Sequence, residues 1–170
     1  MRIYLIGFMG SGKSTLGQRV AERMQVPFVD TDKLVTSASG KDIQQIFDVY
    51  GEPRFRELEK AALRETIQLE KSIIATGGGL PCFEDNMRWM KQHGITIYLQ
   101  WPDEQLLAHL EEHKEDRPLL KVKSNAGKES WRTLLQSRKP IYELAAITLE
   151  MRGDIESDAL LLEKACRYIW

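Results

Sequence analysis

No stretch of the sequence approaches eighteen consecutive apolar residues, so it offers no candidate for a membrane-spanning helix. Cysteine is scarce: Cys82 and Cys166 are the only two, with no C-x-x-C and no histidine at zinc-site spacing. Neither a disulfide frame nor a structural metal is expected, and reduced thiols in a cytoplasmic protein are. The three histidines, His93, His109 and His113, keep no metal-ligand spacing and read as surface residues. Charge of either sign is not in excess: the formal net charge is −1 and no basic block stands out. A nucleic-acid or membrane-surface partner therefore has no electrostatic footprint, and small-molecule chemistry is favoured. An N-K-x-D base-reading motif is missing, and no acidic residue closes the apolar run Ser72 to Ala75, which argues against a GTPase switch or an ATPase motor. Internal repeats and low-complexity linkers are absent. The apolar start after Met1-Arg2 stops at Gly10 without a small-residue cleavage site and reads as a strand, not a leader. At 170 residues the chain fits one domain, 1–170, large enough to bury roughly 70% of its unfolded surface without staples.

What the sequence does have is concentrated at its beginning. Ile3, Tyr4, Leu5 and Ile6 form a short β-prone run, and Gly7, Gly12, Lys13 and Ser14 complete G-x-x-x-x-G-K-[ST]. Glycines let consecutive backbone N–H groups turn inward around an anion, and the following helix adds the positive end of its dipole. Lys13 supplies a point charge for phosphates, and the Ser14 hydroxyl stands where a phosphate-bound Mg²⁺ needs an oxygen. Leu16, Val20 and Met24 then fall four apart, the apolar stripe of a helix.

Downstream, strands alternate with helices. Val26 to Val29 reads as a second strand with Asp30-Thr31-Asp32 at its carboxyl end, where open α/β sheets bind ligands. Asp30 and Asp32 fit a Mg²⁺-water ligand and a proton acceptor, or a helix cap and a turn; the residues alone do not divide these roles. A short helix from Asp42 to Tyr50 ends at Gly51, and a longer one starts at Glu52-Pro53, with Phe55, Leu58, Ala62 and Leu69 inward up to about Glu70. Arg54, Arg56, Glu57, Glu59 and Lys60 read as its solvated face, with Arg56 and Glu59 spaced to brace each other. Ser72 to Thr76 is the third strand, followed by Gly77-Gly78-Gly79, either a plain turn or backbone that approaches a ligand closely. A helix is predicted over Pro81 to His93, a strand over Ile95 to Leu99, and a further helix from Trp101-Pro102-Asp103. Lys121 to Gly127 reads as a polar loop of the sort that serves as a lid. Helices over Trp131 to Glu143 and from Ser157 flank a fifth strand, Ala145 to Leu149. The pattern predicts an α/β fold: a five-stranded parallel sheet with helices on both faces.

Six separated motifs, Gly7 to Thr15, Asp30-Thr-Asp32, Phe55-Arg56 with Glu59, Thr76 to Gly79, Arg117-Pro-Leu-Leu120 and Arg138-Lys-Pro-Ile-Tyr142, occur in an order that resembles the shikimate kinase family over essentially the whole chain. The resemblance implies a nucleoside-monophosphate-kinase-like P-loop fold, with a substrate-binding segment at about 33–61 and a lid at about 112–126. It implies phosphoryl transfer from ATP, with Mg²⁺, to the 3-hydroxyl of shikimate in aromatic amino-acid biosynthesis, by a monomer without nucleic-acid or membrane partners. Carried over residue by residue, Gly10, Ser11, Gly12, Lys13, Ser14 and Thr15 hold the nucleotide phosphates, joined by Arg117 from the lid. Ser14 and, through water, Asp30 serve Mg²⁺. Asp32 grips the substrate hydroxyls and acts as base, Arg56 and Arg138 take the carboxylate, and Gly77, Gly78 and Gly79 line the substrate site. Guanidinium forks suit a planar carboxylate on independent chemical grounds. Kinases acting on gluconate or nucleoside monophosphates have no general need for Phe55-Arg56, the glycine triplet and Arg138 together. In one respect the pattern departs: Leu110, between His109 and Glu111, stands where the family often has an adenine-stacking arginine, and Glu150 to Asp154 is not a clean match either.

Overall fold

The computed structural model describes residues 1–112 and 128–170. Most of the expected lid, Arg117 and His113 lie outside the described residues. Five parallel strands, β1 (Arg2–Ile6), β2 (Phe28–Asp30), β3 (Ser72–Ala75), β4 (Gly94–Gln100) and β5 (Ile147–Glu150), form one sheet in the order β2-β3-β1-β4-β5. The central strand β1 pairs with β3 from Arg2↔Ser72 and with β4 from Arg2↔Gly94. It is buried on both sides, which is why it reads as an unbroken apolar run.

Alternation along β1 divides the interior in two. Ile3 and Leu5 face helices α1 (Lys13–Met24) and α7 (Ile155–Ile169) in a core that includes Leu16, Val20, Ala159, Leu162 and Cys166. Tyr4 and Ile6 face the opposite layer, where Leu63, Met87, Met90, Leu106, Leu107, Trp131, Leu135 and Tyr142 pack. They come from α3 (Ile43–Glu65), α4 (Asn86–His93), α5 (Asp103–Glu112) and α6 (Lys128–Tyr142). Gly17 sets the spacing of α1 on the sheet: a Cβ there would lie 2.8 Å from both Leu5 Cδ1 and Phe28 Cε2.

A third, smaller core stands apart. Val35 of α2 (Thr31–Ser39) meets Ile46, Phe55 and Ala62 of α3. Helix α2 is an addition to the predicted elements; Asp30 caps it by accepting from Asp32 N–H at 2.9 Å, and Gly40 ends it in the left-handed region. Gly51, at φ 75° and ψ 175°, breaks α3 into the two helices the sequence predicts on either side of it.

Boundaries move where local bonds compete with the expected pattern. Strand β2 begins at Phe28 rather than Val26, because Val26 N–H bonds back to Ala21 O at 3.0 Å and closes α1. The predicted helix from Pro81 is instead a 3-10 turn at Leu80–Cys82, a left-handed Glu84 at φ 46°, and then α4. Leu144 and Ala145 stay in a turn, bonded to Ile141 and Tyr142 carbonyls, so β5 starts at Ile147. His93 and His109, expected at the surface, are half-buried and stacked on Trp89 and Trp101.

Candidate active site

The loop after β1 crosses from strand to helix through Gly7, Gly10 and Gly12, with φ of 145°, 81° and 84°, conformations that favour glycine. Gly12 is the N-cap of α1 and offers no side-chain cap, and the first turn carries no acidic residue. The helix start is therefore left to an anion. Lys13 is buried beneath the loop, its Nζ donating to Gly7 O at 2.8 Å, Phe8 O at 2.7 Å and Ser11 Oγ at 3.3 Å. Ser14 and Thr15 lie exposed at the mouth. The Ser14 hydroxyl donates to Asp30 Oδ2 at 2.5 Å, while Oδ1 of the same carboxylate caps α2. Asp30 thus caps α2 with one oxygen and holds the Ser14 hydroxyl with the other. This hydroxyl–carboxylate pair beside a phosphate loop is the oxygen donor set that a hard, largely hydrated cation such as Mg²⁺ accepts. Among the described residues no cluster of three or more His, Cys, Asp or Glu could hold a metal by itself.

At the end of the neighbouring strand β3 the three glycines stand against three different groups. A Cβ on Gly77 would lie 2.5 Å from Glu59 Oε1 and 2.7 Å from Asp32 Oδ1; on Gly78, 3.0 Å from Met9 N; on Gly79, 2.6 Å from Arg56 Nη1. None has a positive φ, so the triplet supplies space rather than an unusual backbone. Gly77 N–H donates to Thr31 Oγ1 at 3.0 Å, and Gly78 O accepts from Tyr142 Oη at 2.6 Å, which fixes the triplet between α2 and α6.

Gly77 brings two carboxyls together. Burial pushes Asp32 up to about 6, with the Asp30 charge adding to the rise and Lys13 and Arg56 opposing it. Its Oδ1 is closed off from solvent and accepts no hydrogen bond. Burial likewise pushes Glu59 up to about 7 against the pull of Arg56, and Asp32 adds to the rise. Arg56 Nη1 donates to Glu59 Oε2 at 2.5 Å, and its other edge meets Glu52. Arg138 is 9% exposed, with its guanidinium 5.7 Å from the centre of the Phe8 ring. The structure therefore gathers Asp32, Arg56, Arg138 and the glycine triplet beside Lys13, as the sequence leads one to expect.

Glu59 is the residue that the charged-face reading misplaces. It is 2% exposed, and positions 55, 59 and 62 fall on one helical stripe that the small apolar core continues. Tyr142 is a second addition: burial raises its phenol against the pull of the Arg138 charge. Leu110 is wholly buried in the core and presents nothing to a ligand. The ring surface near the phosphate loop comes from Trp101, which donates to Ser11 O at 3.2 Å and stacks on His109. A Cβ on Gly153 would touch this indole at 3.5 Å, and Asp158 holds the Gly153 turn by accepting from Arg152 and Gly153 N–H.

Known proteins combine the same elements. The sequence profile of the shikimate kinase family matches residues 9–167. The chain belongs to that family. A shikimate kinase of Parabacteroides distasonis is 39% identical over 150 residues, which cover 88% of this chain and 87% of its own. Shikimate kinase of Bacteroides thetaiotaomicron, a crystal structure, superposes with a TM-score of 0.85 at 34% identity over 98% of each chain. That of Acinetobacter baumannii, solved in complex with shikimate, gives a TM-score of 0.86 at 34% identity and covers 98% of this chain and 93% of its own. The five-stranded parallel sheet is the fold these relatives share.

Proposed function

We propose that this protein transfers the γ-phosphoryl group of ATP to the 3-hydroxyl of shikimate, giving ADP and shikimate 3-phosphate for aromatic amino-acid biosynthesis. The observation that carries the reading is the convergence of two guanidiniums, the half-buried Arg56 and the buried Arg138, with Asp32 beside the phosphate loop. A small ring with a carboxylate at one end and hydroxyls at the other matches that arrangement.

In this reading Gly10, Ser11, Gly12, Lys13, Ser14 and Thr15 hold the phosphates of ATP. Lys13 exchanges its contacts with the loop carbonyls for phosphate oxygens. Ser14 and, through water, Asp30 hold Mg²⁺, which neutralises phosphate charge when bound. Arg56 and Arg138 take the shikimate carboxylate, and Gly77, Gly78 and Gly79 form the wall of the pocket. Asp32 accepts the proton of the 3-hydroxyl as its oxygen bonds to the γ-phosphorus and the bridging oxygen leaves with ADP. A carboxyl raised to about 6 is a stronger base than an ordinary one and is still ionised at neutral pH. Lys13 and, from the lid, Arg117 balance the charge that develops on the transferred group.

The proposal includes a single kinase domain over 1–170, with the substrate segment at 33–61 and the lid at 112–126. It also has the protein act as a cytoplasmic monomer without nucleic-acid or membrane partners. In support, no helix among the described residues is long and apolar enough to cross a membrane. The residue assignment is tested by Arg56→Lys. A lysine cannot make the two-pronged contact, so the KM for shikimate should rise about 10-fold or more while that for ATP hardly changes. Equal effects on the two substrates would refute it.

A further inference from the structure

Arg56 is surrounded by carboxylates on two edges. Its Nη1 donates to Glu59, and its Nη2 and Nε both donate to Glu52 Oε1, at 2.9 and 3.3 Å. The guanidinium also lies against Gly79, where a Cβ would come within 2.6 Å of Nη1. The two acidic partners differ sharply. The Glu59 side chain is 2% exposed, whereas that of Glu52 is 52% exposed. The first is locked in by its surroundings. The second can leave for water, because its own end of the ion pair is already solvated.

Because Glu52 is exposed, the edge it occupies opens toward solvent. The Arg56 side chain is 12% exposed, Glu59 holds one side of its fork and Gly79 abuts it. A guanidinium presents Nε and one Nη side by side, the geometry that receives a carboxylate. Glu52 sits on that pair now. It sits next to Gly51, whose φ of 75° and ψ of 175° interrupt the helix, so its backbone begins the second half of α3 directly after the break.

We infer that Glu52 is a built-in stand-in for the substrate's carboxylate, occupying the Nε–Nη2 edge of Arg56 until shikimate displaces it. The inference rests on the proposed assignment of Arg56 to that carboxylate. It makes Glu52 a determinant of acceptor affinity through competition, without contact to the reacting atoms. In the empty site it keeps the guanidinium charge compensated and the fork aligned. On binding, one carboxylate replaces another, and part of the attraction between acceptor and Arg56 is offset by the ion pair that breaks.

Glu52→Gln and Glu52→Ala remove the competing charge while leaving Glu59 to hold Arg56. Shikimate affinity of the full chain is measured by titration calorimetry, and steady-state constants by coupled ADP release. The dissociation constant and KM for shikimate should fall about two- to fivefold in both variants, with kcat within twofold and the KM for ATP unchanged. An unchanged or increased KM for shikimate in both variants would overturn the inference, an increase meaning that Glu52 braces Arg56 for the substrate. Arg56→Lys in the same titration separates the two levels. If it weakens shikimate while the Glu52 variants fail to tighten it, only the stand-in role falls. If it leaves shikimate binding unchanged, the assignment of Arg56 falls, and the stand-in role with it.

Discussion

Gly79→Ala separates function from folding in this site. Gly79 has φ −88° and ψ −18°, a conformation alanine adopts freely, so the substitution carries no backbone strain. The three atoms nearest the added methyl all belong to Arg56: Nη1 at 2.6 Å, Nη2 at 2.9 Å and Cζ at 3.0 Å. Ordinary contact lies at about 3.5–4.0 Å, so the guanidinium must retreat by about 1 Å. It can do so, because it is the end of a flexible side chain, but only by loosening its 2.5 Å bond to the buried Glu59. The stability cost should be about 1 kcal/mol or less, with an unfolding midpoint close to the parent's. The functional cost should be much larger, since a displacement of about 1 Å in a positioning group lowers kcat/KM by up to ~100-fold. Steady-state kinetics with shikimate varied at saturating MgATP, and the reverse, would read it. The loss should sit in kcat/KM for shikimate, with the KM for ATP within twofold of the parent. Unimpaired shikimate kinetics would mean that the position of Arg56 over the glycine triplet does not matter, and would refute the reasoning.

Asp32→Asn tests the strained carboxyl through pH. Because folding raises this group to about 6, its ionisation lowers stability as pH rises through that value; the protonated form, below the unfolded value near 4, carries no such cost. The variant should therefore be about 1–3 kcal/mol more stable than the parent at pH 8, with the difference vanishing toward pH 4 in urea titrations. A constant difference across that range would show that ionisation of Asp32 is not the cause. Gly17→Ala should lower stability by about 1–2 kcal/mol despite alanine's better helix propensity, because its methyl would meet Leu5 and Phe28 at 2.8 Å. A gain of about 1 kcal/mol in the same titration would mean that α1 does not pack on the sheet as closely as described.

The legible parts of this chain are those in which local chemistry and global fold agree. The phosphate loop is written in residue types because its backbone must adopt positive φ at Gly7, Gly10 and Gly12, which only glycine does easily. Gly51 marked its own break in α3, and the apolar strands marked a sheet covered on both faces. Helix α2 was illegible because Thr36, Ser37 and Ser39 are weak helix formers; its cap at Asp30 and the burial of Val35 against α3 stabilise it. The same Asp30 could be read as a cap or as a ligand; one of its oxygens caps α2 while the other accepts from Ser14, a division that the residue type alone does not reveal. Glu59 was hidden for a related reason. A charge on an apolar stripe looks like a surface residue until the fold brings Gly77 and Asp32 to it. The glycine triplet marks a crowded place, but which protein group each glycine admits depends on α3 and the phosphate loop arriving from elsewhere in the chain.

The most direct test of the proposed activity is ADP production from MgATP by the full chain with shikimate, gluconate, a set of nucleoside monophosphates, or no acceptor. Turnover with shikimate alone, and its loss in Lys13→Ala without loss of fold by circular dichroism, is the expected result. Turnover with gluconate or a nucleotide, or ATP hydrolysis at the same rate without an acceptor, would contradict it.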